Sequence, residues 1–129
     1  MNIDAPKAMR QGISGDQNLP FIPRLNFSET PSTYKVTIEL PGVHPDDLEL
    51  SLHDRSLFLR GVRRCDIIEK DEFVLSREIG YGTFQRRLDF TGEIDPDQLS
   101  AKYVDGLLLV TIGKVHHAHA SRRIPILQA

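Results

Sequence analysis

Cysteine occurs once, at Cys65, so an intrachain disulfide framework is excluded. No apolar run approaches the length needed to cross a bilayer. The opening stretch MNIDAPKAMRQ has no apolar h-region, so no signal peptide is expected, and a reducing, cytoplasmic location follows. Charge of one sign is not in excess: the formal net charge is -2. Neither nucleic acid nor an anionic membrane is therefore an expected partner. The chain also has no Gly-rich phosphate loop, no G-x-S-x-G elbow and no metal-spaced Cys/His set. Those gaps disfavour an enzyme, a nucleotide-driven machine and any cofactor. A segment with sustained helical periodicity is missing too.

Period-two alternation is abundant. YKVTIEL places Tyr34, Val36, Ile38 and Leu40 on one face and Lys35, Thr37 and Glu39 on the other, the pattern of a half-buried strand. PGVHPDD then breaks the run. LELSLH alternates through Leu48, Leu50 and Leu52, DRS turns the chain, and LFLRGV predicts the next strand. FQRRLDF follows at 84–90, after a GYG break. LSAKYV and LLLVTI are joined by Asp105 and Gly106, a strong hairpin signal. Many short strands separated by turns predict an all-β sandwich or barrel. The 129 residues suit one domain able to bury its core without staples.

Two segments exceed what a plain sandwich needs. Residues 63–82, RRCDIIEKDEFVLSREIGYG, are long for a hairpin connection and contain a strand candidate, EFVLSRE. The polar stretch GKVHHAHASRR separates the last strand from Ile124, Pro125 and Ile126.

Taken in order, these motifs resemble the small heat-shock proteins, the family built on the α-crystallin domain. YKVTIELPGVHPDDLELSL is similar to that family's strand, Leu-Pro-Gly turn and strand. REIGYGTFQRRLDF is similar to its Gly-x-Phe-x-Arg strand, and AKYVDGLLLV to its Ala-x-x-x-x-Gly-x-Leu hairpin, carried here by Ala101, Gly106 and Leu108. The Ile124, Pro125, Ile126 tripeptide resembles its Ile-x-Ile tail. The likeness covers about residues 23–126. Departures are Phe90 and Thr91 where the family usually has Leu-Pro, Leu107 where it usually has valine, and a short arm poor in aromatics. The resemblance implies an immunoglobulin-like β-sandwich at 23–113, a flexible N-terminal arm at 1–22 and a C-terminal extension at 114–129. It also implies an ATP-independent holdase that binds unfolding proteins, assembled from homodimers into a larger homo-oligomer. A sandwich-domain co-chaperone or adaptor is the alternative; the tail and the strand-bearing loop argue against it.

Residue by residue, the expectations are these. Ile124 and Ile126 point to one side of an extended segment, and Pro125 steers it away from helix. Burying one isoleucine stabilises by roughly 1.5–3 kcal/mol, so a single tail contact is weak and many add through effective concentration. The bland reading is a frayed end. Residues 113–121 span up to about 30 Å at ~3.3–3.6 Å per residue, enough to reach a neighbouring subunit. The resemblance places the tail's groove between the LELSL and LSAKYV strands. Arg86 shares strand parity with Phe84, Leu88 and Phe90, so it interrupts the apolar face and needs partners if buried; the resemblance puts it at the dimer interface. The rival reading lets its head escape to water. Phe73, Val74 and Leu75 form the candidate exchanged edge strand, against a floppy loop. His116, His117 and His119 on the linker read as solvated rather than metal-binding, and Cys65 as a thiol that Arg63 and Arg64 could acidify. Leu19, Phe21 and Ile22 are candidate client contacts.

Overall fold

The structure, a computed structural model, describes residues 20–115 and 124–128. Seven strands follow in order: β1 (Leu25–Glu29), β2 (Thr33–Glu39), β3 (Leu48–His53), β4 (Ser56–Arg63), β5 (Gly82–Asp89), β6 (Ile94–Val104) and β7 (Leu107–Lys114). They form two antiparallel sheets, one ordered β1-β2-β7-β6 and the other β3-β4-β5. The only helical turn among the described residues is a 3-10 turn at Pro45–Asp47, begun by the His44 side chain accepting from the Asp46 amide. Among those residues no helix is long and apolar enough to cross a membrane.

The alternation in YKVTIEL is realised directly. Tyr34, Val36 and Ile38 are buried while Lys35 and Glu39 are exposed. In register with them, Ile112, Val110 and Leu108 of β7 are buried as well, since paired residues share a sheet face. Leu57 and Leu59 of β4 close the core from the other sheet. Asp105 (φ 53) and Gly106 (φ 79) turn the β6–β7 hairpin, with both central residues at positive φ as a two-residue I′ turn requires. Gly106 also accepts the Leu40 amide at 2.7 Å, tying the hairpin to the Leu-Pro-Gly turn.

β6 begins earlier than the LSAKYV pattern indicates. Its pairing with β7 slips between Asp95 and Leu99, around Pro96, which has no amide for the ladder and is tolerated at a bulged edge. Residues 21–23 also pack on the sandwich: Phe21 packs on the core and Pro23 is fully buried.

Candidate assembly surfaces

β1 lies beside β5 at one side of the sandwich, and β3 and β6 end their respective sheets. Both are edge strands. On β3, Leu48, Leu50 and Leu52 point inward and are half-buried. On β6, Leu99, Ala101 and Tyr103 are in register with core residues Ile112, Val110 and Leu108. Leu99 and Ala101 are nonetheless exposed, because no strand covers them. These are the apolar residues of the two strands between which the family likeness places the tail. The Tyr103 hydroxyl donates to the Leu40 carbonyl at 2.6 Å. Of the hairpin residues, Gly106 makes the turn and Leu108 is core, while Ala101 is exposed on β6.

The tail is not docked on its own sandwich. Ile124 is 80 % and Ile126 97 % exposed, and Leu127, on the opposite side, 90 %. His116, His117 and His119 lie outside the described residues. Among the described residues no group of His, Cys, Asp and Glu could hold a metal ion.

Residues 64–81 leave the sheet and return without forming a strand, so the strand expected at EFVLSRE is not made within this chain. Ladder bonds need a neighbouring edge, and this segment has none beside it. Phe73 is 67 % and Leu75 96 % exposed, with Val74 half-buried. At the segment's base, Arg64 donates two bonds to the Asp47 carboxylate, both 2.9 Å. The Arg64 guanidinium holds that carboxyl below the usual carboxylate range, and is itself pushed upward by it. Cys65 is exposed, and Arg77 donates to its Sγ at 2.5 Å.

Arg86 is half-buried and bonded inside the chain: its Nη1 donates to the Pro23 carbonyl at 2.5 Å. Together with Leu25, Val36, Ile38, Leu57, Leu59 and Leu88 it lines a narrow apolar slot between the sheets, beside the β1 edge. Arg87 faces outward, pairs with Asp89 at 2.9 Å and covers the Phe58 ring. The Ser56 hydroxyl, and then Arg87, hold the Asp89 carboxyl below its ordinary value. Reading the sequence did not find the anchoring of residues 20–23; the two prolines bracketing Phe21 and Ile22 were the available signal.

The sandwich thus exposes Leu99 on an edge strand, Phe73 and Leu75 on the 64–81 segment, and Ile124 and Ile126 on the tail. Its family is established by comparison: the chain belongs to the Hsp20/alpha crystallin family, whose model matches residues 26–127. That family comprises non-enzymatic chaperones. The chain is 35% identical over 101 residues to small heat shock protein C2 of Rickettsia felis, covering 78% of this chain and 64% of that protein. It is 29% identical over 100 residues to small heat shock protein C4 of the same organism, covering 78% of this chain and 61% of that one. The chain therefore spans just under two thirds of the length of these relatives. Among solved structures, heat shock protein 16.0 from Schizosaccharomyces pombe superposes with a TM-score of 0.71 at 27% identity, over 83% of this chain and 99% of that one. A small heat-shock protein from Xylella fastidiosa, described as having a distinct high order structure, gives 0.69 at 28% identity, over 84% and 98%.

Proposed function

We propose that this protein is an ATP-independent holdase of the cytoplasm that binds unfolding proteins and suppresses their aggregation, working from a homodimer that builds into a larger homo-oligomer. The observation that supports the reading is that an exposed apolar tail and edge strands with apolar side chains occur on one chain. Ile124 and Ile126 are exposed on one side of the tail, and edge strands β3 and β6 offer Leu48, Leu50, Leu52, Leu99 and Ala101. In this reading a tail from a second copy docks between those strands, and two isoleucines contribute only a few kcal/mol, so each contact is reversible. Subunits can then part and rejoin, which frees apolar edges when unfolding clients appear. The dimer forms by residues 72–76 pairing with a partner's exposed sheet edge, with Phe73, Val74 and Leu75 as the exchanged strand and β1 as the available acceptor. Arg86, next to β1, sits at that interface.

Client capture tests this directly. The full chain is heated with a thermolabile protein, without nucleotide, and passed through a sizing column. Co-elution of soluble client with the chaperone is expected. Client lost to the pellet while the chain elutes unchanged contradicts the proposal.

A further inference from the structure

Arg63, the last residue of β4, brings together three segments distant in sequence. Its Nε and Nη2 donate to the Gly80 carbonyl at 2.8 and 2.5 Å, and its Nη1 to the Pro41 carbonyl at 3.3 Å. The guanidinium also lies 3.5 Å from the centroid of the Phe21 ring. Phe21 meets the buried Phe84 ring edge-on, with centroids 5.2 Å apart at 90°. Phe21 is thus held between a cation and a core aromatic, a position in which both contacts are favourable. Pro20 bridges to Tyr81, and a Cβ at Gly80 would stand 2.8 Å from the Pro20 carbonyl oxygen. The returning end of residues 64–81 therefore runs directly against the incoming residues 20–23. Only a residue without a side chain allows that approach.

We propose that Arg63 joins residues 20–23 and the base of residues 64–81 into one cooperative latch, so that releasing either segment loosens the other. The prolines on either side of Phe21 and Ile22 restrict the strap to extended conformations before it docks, which lowers the entropy cost of docking. Once docked, Phe21 covers one face of the guanidinium and shields its bonds to Gly80 from water, where they are stronger. Removing Phe21 wets that face and exposes Phe84. Moving Gly80 removes the acceptor that fixes the guanidinium over Phe21. Lysine cannot replace this arginine, because a compact ammonium has no planar fork to grip Gly80 while stacking on a ring.

The functional consequence rests on the strand exchange proposed above: a partner that pulls on residues 72–76 also loosens the strap that carries exposed Ile22. Coupling of this kind is reciprocal. Freeing the N-terminal segment then favours exchange.

Hydrogen exchange by mass spectrometry on the full chain tests the latch, with solution mass recorded for each variant. Phe21→Ala is expected to raise exchange about tenfold or more for residues 77–82, as well as at Phe21's neighbours Ile22 and Arg24. Gly80→Ala, which perturbs the other side, is expected to raise it at Phe21, Ile22 and Arg24. Arg63→Lys is expected to do both, and Arg60→Gln, exposed on the same strand, neither. Amides of β2 and β7 report the intact sandwich and stay protected. Protection lost only at the substituted segment in both Phe21→Ala and Gly80→Ala overturns the latch. Coupled exchange with unchanged mass in every variant leaves the latch standing and instead contradicts the link to strand exchange.

Discussion

Arg86 and Arg87 are consecutive in sequence and face opposite sides of β5: one donates to the buried Pro23 carbonyl, the other pairs with Asp89 in solvent. Arg86→Ala strands that carbonyl and widens the slot beneath β1, a loss of about 1–3 kcal/mol for an unsatisfied buried acceptor. Arg87→Ala removes an exposed ion pair and has a far smaller effect. Urea unfolding checks this, read as a midpoint shift at unchanged slope. Equal shifts for the two variants contradict the assigned faces.

Acid should weaken the sandwich through two carboxylates. Asp47 and Asp89 are held below the ordinary value by Arg64 and by Ser56 with Arg87, respectively. A carboxyl whose folded pKa is depressed adds stability that is complete above its unfolded pKa, ~4, and is lost as pH falls through the folded value. Stability is therefore expected to be flat near neutrality and to drop below about pH 4. Asp47→Asn and Asp89→Asn should each make that acid limb shallower. An unchanged limb in both variants contradicts the assignment.

Much of the core is legible in the sequence. Tyr34, Val36 and Ile38 alternate with charged residues, and Asp105 with Gly106 can hardly be anything but a hairpin turn. Local pattern suffices there because the burial face and the turn are both set within a few residues. The groove position at β3 and β6 came from the family likeness and not from local pattern. Three features depend on distant partners and left weaker traces. Phe21 looks like part of a loose arm until Arg63 and Phe84 are seen on either side of it. The N-terminal part of β6 contains Pro96, which reads as a break although the strand passes through it by a bulge. FVLS has strand character, yet an edge to pair with is not a property of its own sequence.

The tail should contribute to assembly and not to the domain. Ile124→Ala with Ile126→Ala is expected to lower the solution mass toward that of a dimer. The β-sheet circular dichroism should stay unchanged, since both side chains are exposed on the single chain. Unchanged mass, or lost sheet signal, contradicts the plug.

The loop should govern the dimer. Leu75→Asp alters a side chain that is 96 % exposed, so the sandwich itself should unfold at the same urea concentration once monomeric. The mass of the tail-substituted background should fall further, from dimer to monomer. A dimer that persists with aspartate at this position contradicts exchange through residues 72–76.

The central claim is that these exposed apolar edges hold unfolding proteins without nucleotide, and light scattering of a heated client measures that most directly. Near-stoichiometric amounts of this protein, with no ATP, are predicted to suppress the scattering of several unrelated thermolabile proteins, because binding the unfolded state keeps it from self-association. Scattering that is the same with and without a molar excess of the protein, across those clients, contradicts the account.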